Sequence, residues 1–142
     1  MASDEWVFVV HARPRPWAVY ARWLGPPSVG FKSMRQWQEE IQIQVKQDWS
    51  RGPLSGALRI DTEFYRPLGK QAPKTKPKQL IYEVAHLIKR PDLDNYRKAC
   101  IDALQGIVFF DDAQVCEGFM SKRYAPLHSE GYTIIRVSIL EL

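Results

Sequence analysis

Alternating apolar and polar positions predict several β-strands. Between positions 57 and 65, residues 58, 60, 62 and 64 alternate with charged residues, the pattern of a strand with one buried face. The segment Glu5–His11 is more uniformly apolar, which predicts a first, well-buried strand. Apolar and β-branched residues predict three further strands, at Ile81–Ile88, Val115–Tyr124 and Tyr132–Leu140.

Two other segments have the apolar spacing of a helix. Ser33–Trp49 has apolar residues at positions 34, 37, 41, 45 and 49, with Ser33 as the candidate N-cap. A second helix has apolar positions 96, 99, 100, 103, 104 and 107, with Asp94 or Asn95 as N-cap and Gly106 as its stop. The order β-α-β-β-α-β-β predicts one α+β domain over residues 1–142, with two helices packed on a mixed β-sheet.

Composition fits a globular protein with an ordinary core. The chain has 142 residues, 45% of them hydrophobic and 25% charged, which is enough for one core. It has no apolar run long enough to span a bilayer and no secretory signal pattern at its start, so we expect a cytoplasmic protein without a membrane partner. Cys100 and Cys116 occupy apolar positions, which predicts buried free thiols. We expect no nucleotide cofactor, since a Gly-rich phosphate loop is lacking.

Carboxylates are concentrated at two places in a chain whose net charge is +4. Asp92 and Asp94 follow a predicted strand that Pro91 would end, and Asp111-Asp112 lies about twenty residues further on. Clustered carboxylates repel one another, so a fold that gathers them usually holds a divalent metal between them. A basic protein with an acidic metal pocket is suited to metal-dependent hydrolysis of a nucleic-acid backbone.

Spacing indicates how these groups would face. Asp92 and Asp94 are two residues apart, and in an extended chain such residues point the same way. Asp94, Lys98 and Asp102 are spaced by four, so they line one face of the predicted helix. If the strands that flank this helix are neighbours, the two acidic pairs converge near the helix N-terminus, which attracts phosphate.

A basic segment precedes the first acidic pair. Residues 66–90 contain seven lysines and arginines and one acidic residue, Glu83. The centre of this segment, Gly69–Lys78, has two prolines and no apolar periodicity, which predicts a loop. Such a loop would place phosphate-binding cations beside the metal site; a solubilising surface loop is the alternative.

The acidic segments resemble a known family. Residues 90–106 read Arg-Pro-Asp-Leu-Asp-Asn-Tyr-Arg-Lys-Ala-Cys-Ile-Asp-Ala-Leu-Gln-Gly, and residues 111–115 read Asp-Asp-Ala-Gln-Val. They are similar to the pattern R-P-D-x-D-N-x-x-K-x-x-x-D-A-L, then D-D-x-Q-V, of the RusA family of Holliday junction resolvases. Ala12-Arg13-Pro14-Arg15 resembles a K/R-x-R-P-R element near that family's start. Some members have a second arginine where this chain has Pro91.

The resemblance implies a homodimeric Mg²⁺-dependent endonuclease that nicks four-way DNA junctions symmetrically, with Mn²⁺ as a substitute metal, in a bacterial or phage-infected cell. By motif position, Asp92, Asp94 and Asp112 would bind the metal, and Lys98 would be the essential lysine. Contacts to the branched DNA are expected from seven basic side chains: Arg13, Arg15, Lys74, Lys76, Lys78, Lys89 and Arg90.

Each of these residues has a simpler interpretation. The aspartates could be helix caps and turn residues, with Asp111 the weaker half of its pair. Lys98 could be a solvated helix lysine, and Asp102 its ion partner. Trp17 and Tyr20 lie near Arg13 and Arg15 in the sequence and could touch DNA, although tryptophans are more typical of a core or dimer interface than of base stacking. Two other functions stay open: a metal-dependent nuclease for other branched or single-stranded DNA, and a non-catalytic protein that binds DNA junctions.

Overall fold

The computed structural model describes residues 4–18, 25–68 and 87–141. Its regular elements are two α-helices, five β-strands and a short 3-10 helix. In chain order they are β1 Glu5–Val10, α1 Val29–Asp48, β2 Leu58–Arg66, α2 Leu93–Leu104, the 3-10 helix Asp112–Gln114, β3 Val115–Glu117, β4 Met120–Tyr124 and β5 Tyr132–Ile139.

The strands form one mixed sheet in the order β1-β5-β2-β3, with β4 also paired to β2. The pairs β1–β5 and β5–β2 are antiparallel, whereas β2 runs parallel to both β3 and β4. The predicted α+β class, two helices on a mixed sheet, is therefore confirmed. Residues 81–86 of the predicted third strand lie outside the described residues, and Leu87 and Ile88 are not part of a strand.

The predicted strand Val115–Tyr124 is two strands, because the chain approaches β2 very closely at Gly118. A Cβ atom added there would lie 1.8 Å from the carbonyl oxygen of Ile60, so a side chain cannot fit. The next residue, Phe119, donates its backbone N–H to Asp61 Oδ1 at 2.7 Å and accepts a hydrogen bond from the Thr62 N–H at 2.9 Å. In the stretch between β3 and β4, these contacts replace regular pairing with β2.

Helix α1 begins before the predicted N-cap, Ser33. Ser28 is the actual N-cap, since its hydroxyl accepts a hydrogen bond from the Phe31 N–H at 3.1 Å. One face of α1 buries apolar side chains at the predicted helical spacing, including Trp37 and Ile41. Gln38 is buried on the same face and donates from Nε2 to the Ala99 carbonyl of α2 at 3.0 Å, which joins the two helices.

Helix α2 also begins earlier than predicted. Its N-cap is Asp92, not Asp94 or Asn95, and the Asp92 carbonyl accepts the N–H groups of Asn95 and Tyr96. The helix ends at Leu104, and Gly106 follows with a φ of +86°, as expected for a glycine that stops a helix. The opposite face of α2 to the acidic residues is buried in the core.

Strand β1 is less buried than predicted. Phe8 and Val10 belong to the core, whereas Val7 and Val9 are 52% and 44% exposed. Helix α1 packs against β1 on the face that carries Phe8 and Val10, whereas Val7 and Val9 belong to the opposite face of the strand. No helix within the described ranges is long and apolar enough to cross a membrane.

Candidate functional site

The outward face of α2 lines a cavity of about 420 Å³. Asp94, Lys98 and Asp102 lie on this face at the predicted spacing of four, and Asp112 lies across from them. We call this space the carboxylate cavity. Its remaining lining residues are Arg97, Ile101, Val115, Cys116, Glu117, Gly118 and Met120. The two acidic segments therefore do converge, through Asp94 and Asp112.

The two aspartates in the turn at residues 111–114 make different contacts. Asp111 is the N-cap of the 3-10 helix, and its Oδ1 accepts the Ala113 N–H at 2.9 Å. This hydrogen bond lowers the pKa of the Asp111 carboxyl group, with a smaller contribution from the neighbouring Asp112. Asp111 thus has the turn role that the sequence left as its simpler interpretation, and Asp112 is the member of the pair that lines the cavity.

Gln114 fixes this turn to the rest of the protein. Its Oε1 accepts the backbone N–H groups of Phe110 at 2.9 Å and Asp111 at 3.0 Å. Its Nε2 donates to the carbonyls of Leu54 at 2.9 Å and Gly56 at 3.0 Å. No role for Gln114 could be predicted from the sequence; in the structure its four hydrogen bonds anchor the turn that carries Asp112.

Asp102 links the two sides of the cavity electrostatically. Its pKa is raised, first by partial burial and then by the negative charge of Asp112. The Lys98 ammonium and a hydrogen bond from the Trp17 side chain oppose this rise. Asp102 is therefore a hydrogen-bonded acceptor that also feels the charge of Asp112 across the cavity.

Asp92 is placed differently from Asp94. The exposed Asp92 is not among the residues that line the cavity, and its side chain makes no capping hydrogen bond. The rule that alternate residues point the same way does not apply here, because the helix has begun by Leu93. Within the described ranges, no three His, Cys, Asp or Glu side chains are grouped closely enough to hold a metal ion. The metal-binding roles of Asp92, Asp94 and Asp112 stay predictions.

Lys98 lies against an aromatic ring. Its Nζ is 3.7 Å from the centroid of the Trp17 ring, within the range of a cation–π contact. The Trp17 backbone N–H donates to the Asn95 carbonyl at 2.9 Å. The segment after β1 is thereby attached to the same face of α2 that carries Lys98.

Arg97 forms the inner wall of the cavity and was not predicted from the sequence. Its guanidinium donates to Thr62 Oγ1 at 2.9 Å and to the Ile60 carbonyl at 2.8 Å, and burial lowers its pKa. It holds α2 against β2 beside Gly118, where an added Cβ would also meet Arg97. Glu117 is a further carboxylate of the cavity, paired with Arg59 at 3.6 Å. Contacts between residues so far apart in the chain have no signal in a single sequence.

Arg13 and Arg15, two predicted DNA contacts, lie near Arg66. Burial is the largest cause of the lowered pKa of Arg13, followed by the positive charges of Arg15 and Arg66. All three arginines also act on the hydroxyl of Tyr96 in α2. We call Arg13, Arg15 and Arg66 the arginine cluster.

The segment that leads into α2 is held by hydrogen bonds to its backbone. Arg66 donates to the Arg90 carbonyl at 2.8 Å, and Lys122 donates to the carbonyls of Lys89 and Pro91, both at 2.9 Å. The side chains of Lys89 and Arg90 are exposed, as a DNA contact requires. The other predicted contacts, Lys74, Lys76 and Lys78, lie outside the described residues.

The two cysteines differ. Cys100 is buried as predicted, and burial raises the pKa of its thiol to about 12. The prediction for Cys116 was wrong, because its side chain is exposed and lines the carboxylate cavity. Val115 in the same short strand β3 is partly buried against the core, whereas Cys116 is exposed, so the apolar residues of β3 are not all core residues.

Comparison with known proteins indicates the family of this chain. Residues 12–137 match the family model described as Endodeoxyribonuclease RusA. A curated relative from Bacillus subtilis (strain 168), the uncharacterized protein YqaN, is 35% identical over 93 residues. That match covers 64% of this chain and 66% of the relative, so it spans slightly less than two thirds of either protein. The family match includes both acidic segments and nearly all of the described fold, and the chain belongs to the RusA endodeoxyribonuclease family.

Proposed function

We propose that this protein is a Mg²⁺-dependent endodeoxyribonuclease that resolves four-way DNA junctions by paired symmetric nicks, in DNA recombination and repair. The observation that carries the proposal is the convergence of Asp94, Lys98 and Asp112 at one open cavity. The family match supports the reaction class. The choice of junction over other DNA follows from the resemblance to junction resolvases.

In chemical type, the side chains of the carboxylate cavity match a hard divalent cation. Asp94 and Asp112 offer carboxylate oxygens, with Asp92 just before the helix that carries Asp94. Mg²⁺ prefers oxygen ligands, and Mn²⁺ accepts the same set. A metal held by Asp92, Asp94 and Asp112 would polarise the scissile phosphate and lower the pKa of an attacking water.

Lys98 supplies positive charge on the same helix face as Asp94. An ammonium group at this position would stabilise the negative charge that develops on the phosphate oxygens during hydrolysis. Arg97 cannot take this role, because its guanidinium is occupied by Thr62 and the Ile60 carbonyl. Of the two cationic side chains that line the cavity in the described part of the chain, Lys98 is therefore the one available to the substrate.

The arginine cluster would bind the DNA backbone beside this site. Burial and then the positive charges of Arg15 and Arg66 lower the pKa of Arg13, and a phosphate between the three guanidinium groups would relieve the repulsion among them. Lys89 and Arg90 extend the basic surface toward Asp92. Lys74, Lys76 and Lys78 stay predicted contacts of the same surface.

Paired nicks require two active sites. One chain carries one carboxylate cavity, and a two-fold homodimer would match the two-fold symmetry of a four-way junction. We therefore propose a homodimer as the active form.

A cleavage assay tests the proposal directly. The protein is incubated with a synthetic four-way junction and with a linear duplex of the same sequence, with and without Mg²⁺. We expect two symmetric nicks in the junction, only with metal, and little cleavage of the duplex. Faster cleavage of flaps, forks or single strands would support the second candidate nuclease. Junction binding without cleavage in either Mg²⁺ or Mn²⁺ would support the non-catalytic binding protein.

A further inference from the structure

We propose that Trp17 is a positioning residue that holds the Lys98 ammonium at the carboxylate cavity. This inference rests on the proposed nuclease function, because it assigns to Trp17 the task of orienting a cation that acts on the scissile phosphate. Neither the acidic motif nor the Arg-Pro-Arg element contains Trp17, which lies two residues after Arg15 in the sequence.

Three contacts attach Trp17 to α2. Its backbone N–H donates to the Asn95 carbonyl at 2.9 Å. Its ring faces Lys98 Nζ, with 3.7 Å between that atom and the ring centroid. Its side chain also hydrogen-bonds to Asp102, one turn beyond Lys98. The indole of Trp17 therefore contacts the side chains of both Lys98 and Asp102.

This arrangement has a chemical consequence for Lys98. An exposed lysine on a helix has many rotamers and an ion partner one turn away. Here the carboxylate one turn away, Asp102, feels the charge of Lys98 and also accepts a hydrogen bond from Trp17. The aromatic face attracts the ammonium without neutralising it, so the positive charge stays available to a phosphate. Trp17 thus favours one location of the Lys98 Nζ atom. It also competes with Asp102 for the Lys98 ammonium group.

The simpler interpretation is that Trp17 only packs against the core, with which it is in contact. Two substitutions distinguish the roles. Trp17→Phe keeps an aromatic face but removes the indole N–H, and Trp17→Leu removes the ring while keeping apolar bulk. Trp6→Leu is the matched control, because Trp6 also packs against the core and has Arg51 over its ring at 5.4 Å to the centroid.

The first readout does not depend on activity. Lysines are reductively methylated with ¹³C-formaldehyde, and the Lys98 signal is assigned as the one that disappears in Lys98→Arg. In the methylated protein without substitutions, we expect an upfield ring-current shift of the Lys98 methyl signal and NMR contacts between these methyl groups and the indole protons of Trp17. The shift should vanish in Trp17→Leu, persist in part in Trp17→Phe and be unchanged in Trp6→Leu. A Lys98 signal at the ordinary lysine position in the protein without substitutions would overturn the proposal, even if neither Trp17 variant folds.

The second readout is single-turnover cleavage of a four-way junction. Trp17→Leu should slow cleavage by roughly 10-fold, the size of one cation–π contact, with the dissociation constant for the junction in Ca²⁺ changed less than about 2-fold. Trp17→Phe should recover most of the rate. Equal losses in binding and cleavage would instead make Trp17 a DNA contact and contradict a positioning role. If the protein cleaves no DNA, the proposed function fails while the methyl signal still decides where Lys98 lies.

Discussion

The two acidic pairs of this protein are held in different ways. The second pair, Asp111-Asp112, lies in a turn whose backbone is fixed by Gln114 and by the Asp111 cap. The first pair, Asp92 and Asp94, spans the start of α2, and its position depends on where that helix begins. Only one member of each pair, Asp94 and Asp112, lines the carboxylate cavity.

The difference shows how neighbouring carboxylates come to have separate roles. In the second pair, the Asp111 carboxylate accepts a hydrogen bond from the backbone N–H of Ala113, and its neighbour Asp112 lines the cavity. In the first pair, the change from extended chain to helix sets the two side chains at different places. Position relative to the end of an element, rather than the acidic motif alone, decides which carboxylate reaches the cavity.

The largest expected effect is on cleavage by variants of the first pair. Asp94→Asn should reduce Mg²⁺-dependent junction cleavage by about 100-fold or more, because a neutral amide is a poorer metal ligand. Asp92→Asn is expected to do the same, because we propose both residues as metal ligands. Junction binding should survive in both, because less negative charge faces the phosphates. Full cleavage by Asp92→Asn would remove that residue from the site and sharpen the contrast within the pair.

A large effect on stability is expected at Gly118, behind the second pair. Gly118→Ala should destabilise the fold by about 2–4 kcal/mol, because its Cβ would collide with the backbone of β2. Gly56→Ala is the control: Gly56 also has a positive φ, of +84°, but a Cβ there meets nothing within 4 Å. Urea denaturation of both variants would measure the difference, and equal losses would mean that the close approach at Gly118 relaxes without cost.

A smaller stability effect is expected from loosening the turn itself. Gln114→Ala removes hydrogen bonds to two carbonyls and two N–H groups, and should cost about 1–2 kcal/mol. Gln105→Ala, which removes one bond, from the Asp112 N–H at 3.2 Å, should cost less. Cleavage should fall more in Gln114→Ala than in Gln105→Ala if Gln114 positions Asp112. Wild-type cleavage rates in both variants would show that Asp112 needs no such support.

The smallest perturbation is chemical labelling of the two thiols. Cys100 lies on the buried side of the helix that carries the first pair, and with a pKa of about 12 it stays protonated and unreactive at pH 8. Cys116 is exposed beside the second pair. We expect one thiol to react with Ellman's reagent in the native protein and two after unfolding, with junction DNA protecting Cys116. Rapid reaction of both thiols in the native protein would contradict the described packing of α2.

Much of the fold could be predicted from periodicity. The buried faces of α1 and α2 follow the apolar spacing, and β2 and β5 follow alternation, because burial on one face imposes these patterns. Boundaries were less predictable. Ser33 was predicted as the N-cap of α1, whereas the hydrogen bond from the Phe31 N–H identifies Ser28 as the N-cap. The break at Gly118 was missed because it depends on the distance to Ile60 in another strand.

The candidate site was predictable where it is local in the sequence. The spacing of four placed Asp94, Lys98 and Asp102 on one face correctly. The contributions of Trp17, Arg97 and Glu117 depend on contacts between distant segments, for which a single sequence carries no periodic signal. Cys116 was misassigned for a related reason: an apolar-looking position in a short strand is buried only if another element covers it.

The most direct test of the central claim compares the two neighbours in the second pair. Wild-type protein, Asp111→Asn and Asp112→Asn are assayed side by side on a four-way junction with Mg²⁺. Asparagine can still accept the capping hydrogen bond, so Asp111→Asn should cleave within a few-fold of wild type. Asp112→Asn should bind the junction and lose cleavage by about 100-fold or more. Equal cleavage by the two variants, or a greater loss in Asp111→Asn, would contradict the assignment of the carboxylate cavity as the active site.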